Sequence, residues 1–420
     1  MNKAVLVNKN NILKDSFYKH LELIEINNIK IEKETYEAYL KLKEYLKEIN
    51  IDIEIEKAFV SKEEELSEHN TGLSIDYKTN SSLYEEINRH IHKFGFILRY
   101  PNCKEEITGY PYTPNHIRYV GKVISKIIYE NNWTLEEYLE EFNGVIVVNK
   151  EKDMTSFDVV NEVSHLFGIK KVGHTGTLDP MAEGILIICI GKATKIVELL
   201  TAEDKEYIAG VKLGIKTDSY DITGNILDTK EVNEINNLEE VIISFKKTYM
   251  QEVPIYSAVK VNGKKLYEYA RNNKEVELPK KEVTIKEIEL LEKAKDTFKI
   301  KALVSKGTYI RSLINDIGNS LNTYATMTSL NRTKQGKVVI NDAYKLDEIR
   351  NNNYKYYKIE EVLDYPIIKV SDDLEFKIKN GAKLKNDFDI KDRVIFVNMH
   401  NKLLGIYEKN DGKLQVWKNF

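Results

Sequence analysis

The sequence predicts a multidomain α+β protein, and three observations carry that reading. Its 420 residues exceed one ordinary core, since domains hold on the order of 100–200 residues. Strand-like and helix-like runs are interspersed through the middle of the chain, which suggests a mixed, mostly antiparallel sheet. The composition is that of packed domains, 42% hydrophobic and 31% charged with 20 Gly and 7 Pro, which excludes collagenous, low-complexity and disordered chains. Two cysteines, Cys103 and Cys189, are too few for a disulfide framework or a cysteine-rich zinc module. The opening MNKAVLVNKNN has no signal-peptide apolar core, and no apolar stretch approaches the roughly 20 residues that span a bilayer. A soluble, cytoplasmic, monomeric chain without a membrane partner is expected.

Taken in order, residues 32–49 carry Tyr36, Leu40, Leu42 and Leu46 in a helical pattern. Further helices are expected at 82–94 and 117–130. Thr134 followed by Glu137 is a capping box that starts another helix, and Asn143-Gly144 stops it. The texture then changes. VIVVN at 145–149 reads as a buried strand, with further strands at 184–190, 206–213, 282–291 and 298–304 and helices at 156–166 and 238–248. From about 367, short strands separated by Asn380-Gly381 and Asn410-Asp411-Gly412 form a small β module. The expected units are 1–142, 143–365 and 366–420.

The net charge of −3 argues against a nucleic-acid partner only until it is divided. Residues 1–142 hold 19 Lys/Arg against 25 Asp/Glu, and the remainder 44 against 41. Within the remainder, residues 241–311 hold nearly twice as many basic as acidic side chains. Such a segment suits a polyphosphate ligand, although a solvated lysine-rich face is the commoner origin of one.

The densest motif is GHTGTLDP at 173–180, followed by MAEGIL at 181–186. Its glycines permit a tight turn and close approach to a ligand. Pro180 keeps Asp179 extended, so the carboxylate projects from a loop. A bare TLDP would be no more than a turn with a solvated Asp; the longer string is specific. It resembles the catalytic motif of the TruB-type tRNA pseudouridine synthases. TSFDVV at 155–160, GKATK at 191–195, KEY at 205–207, GVKLG at 210–214, QEVPIYSAVK at 251–260 and SKGTYIRSL at 305–313 follow the family's order, over roughly residues 144–350. The small C-terminal module resembles the PUA-like RNA-binding domain that often ends these enzymes.

The resemblance implies isomerisation of the T-loop uridine of tRNA, position 55 in tRNA nomenclature, to pseudouridine without a cofactor. Asp179 would be the essential carboxylate, either attacking the nucleoside or assisting a glycal-type route. Arg311 would pair with it and keep it ionised. Tyr207 would stack on the target base, and Tyr309 and Leu330 would close the pocket. The target nucleotide must be flipped out of its stack, at a few kcal/mol, and His174 would fill the vacancy. Thr177, Lys205, Lys260 and Lys306 are further RNA-binding candidates. Singly, a strand tyrosine is usually core and a lone histidine structural; their joint order carries the inference. One departure stands out, because Lys150-Glu-Lys-Asp153 replaces the family's Lys-Pro-x-Gly turn.

A second constellation lies in SEHNTGLSID at 67–76 and PNHIRYVG at 114–121. His69, Asp76 and His116 suit zinc with an open fourth position. With FGFILRYP at 94–101, TGY at 108–110 and LEEY at 135–138, residues 35–140 resemble the zinc-dependent D-alanyl-D-alanine carboxypeptidases of the VanY type. That family has a glutamate as general base three residues before its last histidine, where this chain has Thr113. The arginine of that family's Gly-Tyr-Arg-Ser stretch corresponds to Val60, within Ala58-Phe-Val-Ser61. The domain is therefore read as a degenerate relative that either retains zinc or carries three leftover polar residues. Two further functions are weighed: a zinc carboxypeptidase fused to an RNA-binding module, and a tRNA-folding chaperone.

Overall fold

The computed structural model describes residues 2–8, 11–62, 67–232, 235–272 and 274–420. The protein is a multidomain α+β chain with a mixed central sheet and a separate C-terminal sheet. Among the described residues no helix is long and apolar enough to cross a membrane.

The N-terminal part is built on a four-stranded antiparallel sheet. Its strands run Glu54–Lys57, Ser74–Lys78, His116–Tyr119, Phe96–Leu98 in spatial order. The helix Lys33–Glu48 buries Thr35, Ala38, Tyr39, Leu42 and Leu46, while Leu40 is 46% exposed. The face expected from sequence was wrong in one residue for a geometric reason. Leu40 and Leu42 lie two residues apart, about 200° around an α-helix, and cannot both face the sheet. The helix expected at 117–130 begins only at Lys122, because His116–Tyr119 is drawn into the sheet and Gly121 turns the chain at φ +87°. The 82–94 segment is an α-helix, Tyr84–His90, flanked by 3-10 turns.

The central sheet has nine strands: β1 Gly144–Lys150, β2 Val172–His174, β3 Glu183–Ile190, β4 Lys205–Leu213, β5 Thr248–Glu252, β6 Lys280–Lys293, β7 Thr297–Val304, β8 Ala325–Gln335 and β9 Val338–Val339. Their order is β5-β6-β7-β4-β8-β3-β1, with β9 on β8 and β2 on β3. All pairs are antiparallel except β3 with β8. That parallel contact requires Gly184, whose added Cβ would lie 2.4 Å from Arg332 O and Asn331 Oδ1. Two helices position the site, α1 Ser156–Phe167 and α2 Ile310–Ser320. The helix expected at 238–248 stops at Ser244, because Thr248 onward pairs with β6.

One apolar core joins the N-terminal part to the central sheet. Ile97, Val123, Ile127, Leu135 and Tyr138 pack in the same cluster as Ile146, Val163, Phe167 and Ile188. The buried Tyr138 hydroxyl donates to Phe167 O at the end of α1 (2.7 Å). On the opposite face, Val147 and Ile187 pack with Ile395, Val397 and Ile406 of the C-terminal sheet. That sheet has five strands, ordered Ile367–Lys369, Arg393–Val397, Leu403–Asn410, Lys413–Asn419, Leu384–Lys385, and a helix Asp372–Lys379 absent from the sequence reading.

Candidate active site and a second constellation

The catalytic-motif loop is held from three sides. Ser156 Oγ, in the first turn of α1, accepts from Leu178 N–H (2.9 Å) and donates to Leu178 O (3.1 Å). Lys150 Nζ donates to Met154 O (2.7 Å), Glu151 O (3.0 Å) and Pro180 O (3.2 Å). Arg332, on β8, donates through Nε to Ile185 O (2.7 Å) and through Nη2 to Gly176 O (3.1 Å). Burial pushes Lys150 down to about 8 against the pull of the neighbouring Asp179. This brace explains why a carboxylate on a loop has a definite position.

Asp179 Oδ2 lies 3.0 Å from Arg311 Nε, with the Asp side chain 35% exposed and the Arg 6%. The guanidinium also donates to Ser219 O (3.1 Å) and Tyr256 O (3.0 Å), and its Nη1 sits 3.7 Å from Asp221 Oδ2. Arg311 is thus a buried cation between two carboxylates, and five fixed donors match such a surround. A cleft of about 790 Å³ opens above it. Thr177, Asp179, Lys205, Tyr207, Lys306, Tyr309, Arg311 and Leu330 all line that cleft. His174, on β2, and Lys260, an exposed residue of a short hairpin, do not. Burial and the nearby Arg332 lower the His174 pKa, and its Nδ1 accepts from Gly176 N–H (3.3 Å), so the ring is neutral near pH 7. Lys205 is pushed to about 8 by burial and by Arg332, and its Nζ donates to Thr201 O and Glu203 O.

In the N-terminal part, His69, Asp76 and His116 present ligand atoms within 4.8 Å of one another. His69 Nε2 is 3.1 Å and His116 Nδ1 2.5 Å from the Asp76 carboxylate. Burial opposes charge on Asp76, but hydrogen bonds from His116 and His69 hold its carboxyl well below the usual range. Two imidazoles and one ionised carboxylate converging in this way fit zinc. Thr113 Oγ1 donates to Pro111 O (3.0 Å).

Comparison with known proteins finds a match for both parts. Residues 164–310 match the TruB family pseudouridylate synthase (N terminal domain), and residues 33–122 match D-alanyl-D-alanine carboxypeptidase, VanY. The chain is 40% identical over 287 residues to tRNA pseudouridine synthase B of Clostridium kluyveri, covering 66% of this chain and 99% of that protein. This chain belongs to the tRNA pseudouridine synthase B family. It is also 43% identical over 283 residues to the enzyme of the same name from Oceanobacillus iheyensis, covering 64% of this chain and 93% of that one. An H/ACA RNP structure bound to a substrate RNA containing 2'-deoxyuridine shares the fold at a TM-score of 0.51 and 21% identity, over 69% of this chain and 88% of that chain. In front of the synthase core sits a VanY-like peptidase domain.

Sequence reasoning missed three residues of the synthase site. Lys150 and Arg332 are 1% exposed and Asp221 is 5% exposed. Lys150 stood in a motif noted only for its lost proline. Arg332 had a signal in its place two residues after Leu330 on one strand, which puts both on the same sheet face. Asp221 carried none. In the 150–153 turn, Asp153 adopts φ +68°, a left-handed conformation that favours glycine. Asp tolerates that region better than most residues, at a cost. Asp153→Gly is expected to stabilise the synthase by about 1 kcal/mol in urea denaturation; an unchanged or lowered midpoint would show that the loop gains from the Asp side chain.

Proposed function

We propose that this synthase isomerises the T-loop uridine of tRNA, position 55, to pseudouridine, with Asp179, Tyr207 and Arg311 as its catalytic residues. The observation that carries the assignment is Arg311 Nε at 3.0 Å from Asp179 Oδ2 at the floor of a cleft lined by Tyr207, Tyr309 and Leu330. The reaction breaks the C1′–N1 bond, turns the held uracil and joins C1′ to C5; the C5 proton leaves and N1 gains one. Asp179 supplies the reacting carboxylate, and Arg311 orients it by a charge-assisted contact at 3.0 Å. Tyr207 offers a ring for stacking, while Lys306 and Lys281 put positive charge along the rim for RNA phosphates. His174, outside the cleft lining on the strand Val172–His174, is the residue proposed to fill the stack that a flipped nucleotide would leave. Conversion of a T-stem-loop RNA, with the modified position mapped chemically, tests the reading. Modification elsewhere in tRNA would refute the T-loop assignment.

The units proposed are 1–142, 143–365 and 366–420, the first an α+β zinc-peptidase-like domain, the second a mostly antiparallel pseudouridine-synthase domain and the last a PUA-like RNA-binding module. In the first unit His69, Asp76 and His116 would hold zinc, which supplies activation of water for attack on a carbonyl. The base that such hydrolysis needs is missing at Thr113, whose hydroxyl cannot take a proton near neutral pH. Zinc at about 100 times its dissociation constant should stabilise the protein by roughly 2.7 kcal/mol, read as a raised Tm. His69→Ala or His116→Ala should abolish the shift, and no D-Ala should be released from a peptidoglycan pentapeptide. A Tm blind to zinc would remove the metal from the proposal.

A further inference from the structure

Behind the cleft runs a hydrogen-bond chain that the reaction itself does not touch. Gln251, on β5 and 1% exposed, accepts Tyr309 N–H at its Oε1 (2.8 Å). Its Nε2 donates to the Tyr249 hydroxyl (2.8 Å), which donates in turn to Asp316 Oδ2 (3.0 Å) on α2. We propose that Gln251, Tyr249 and Asp316 are positioning residues that set the start of α2, and through it Tyr309 and Arg311, against Asp179. The inference deepens the proposed function and rests on its assignment of Asp179 and Arg311.

The geometry makes the chain directional. An ionised carboxylate only accepts, so the Tyr249 proton must point to Asp316. The Tyr249 oxygen is then the acceptor for Gln251 Nε2, and the amide oxygen is left facing Tyr309 N–H. One charge at the far end thus orients an amide fully enclosed by protein. Tyr309 is the residue that opens α2, and no side chain caps that helix start. Gln251 is therefore what holds its backbone. Arg311 follows two residues later with its guanidinium on Asp179. A second tether, Ser312 Oγ to Glu252 O (2.9 Å), pins the same turn to the same strand. Small displacements here reach the reacting atoms directly.

The far end of the chain is poised to titrate. Burial pushes Asp316 up to about 6, against the stabilising Tyr249 hydrogen bond and with help from Glu252. Tyr249, Glu252 and Tyr220 are the titratable groups that act on it from the neighbouring elements. Above pH 6 the carboxylate is charged and the chain is polarised as described. Below it, a protonated Asp316 can donate as well as accept, so the Tyr249 hydroxyl is no longer compelled to point at it and the chain loses its fixed direction.

The test measures kcat and KM on full-length tRNA with the whole chain. Tyr249→Phe keeps the ring against Phe245, an edge contact with centroids 5.9 Å apart, and removes only the hydroxyl. It is expected to lower kcat about 10-fold at pH 7.5 with KM within about twofold. Asp316→Asn keeps an acceptor for Tyr249 but cannot ionise. Like the protonated carboxyl, its amide can donate as well as accept and fixes no direction, so at pH 7.5 it should show the lowered kcat that the wild type shows below pH 6, with no further acid limb. Wild-type kcat in Tyr249→Phe, parallel loss of tRNA binding, an unfolded circular dichroism spectrum, or an unchanged acid limb in Asp316→Asn would each overturn the inference. Asp179→Asn in the same assay separates the two readings. If that variant turns over, the catalytic assignment fails; if it is dead while Tyr249→Phe is unimpaired, only the relay fails.

Discussion

Asp179→Asn is expected to cut pseudouridine formation by about 10⁴-fold or more, while tRNA affinity stays within a few-fold. The substitution keeps the shape of the side chain and removes its charge, so the nucleophile or base is lost without a cavity. Arg311 would still donate to Ser219 O and Tyr256 O and would still face Asp221. The cleft should therefore keep its walls. Binding measured by filter retention and turnover measured on the same preparation separate the two effects. Turnover within about tenfold of the wild type would remove Asp179 from the chemistry.

Glu68→Ala should produce the largest loss of stability. Its carboxylate accepts from Arg99 Nε (2.6 Å), Arg118 Nη1 (2.7 Å) and the Tyr100 hydroxyl (3.0 Å). Both arginines are fully buried. Removing the anion leaves two guanidinium groups competing for what remains, and breaking a buried pair in this way costs about 3–5 kcal/mol. The loss should not stay local. Arg99 also grips Glu136 with both terminal nitrogens (2.9 and 2.7 Å), and the helix bearing Glu136 presents Tyr138 to the end of α1. At its other end α1 holds the Asp179 loop through Ser156. Denaturation followed by Tyr and Trp fluorescence should show the midpoint fall for the N-terminal part and synthase activity fall with it at raised temperature. A variant as stable as the wild type would show that Glu136 alone satisfies the arginines.

The Asp179 loop was legible in the sequence because its signal is local. None of its long-range contacts is needed to see that GHTGTLDP turns tightly and brings an extended Asp before its proline. The acidic front domain, the alternating strands of the middle and the zinc-type trio were legible for the same reason, since each is written in residue type and short spacing. Helix limits were less so. Residues 116–119 and 248–252 are strands only because distant partners pair with them, a tertiary effect that local periodicity does not contain.

The tertiary structure alone decided three things. Arg311, which could have been a surface cation, is a buried one between Asp179 and Asp221, because α2 delivers it from 132 positions away in the chain. Lys150 and Arg332 turn inward to spend their donors on backbone carbonyls of the Asp179 loop, a use that a motif scan reads as ordinary basic residues. And the two halves, opposite in charge and unrelated in family, share one apolar core. The sequence by itself determined that a VanY-like segment precedes a synthase core, and it named the residue types that offer chemistry in each. Which of them face one another followed only from folding, since burial, long-range pairing and the direction of a hydrogen bond depend on atoms far apart in the sequence.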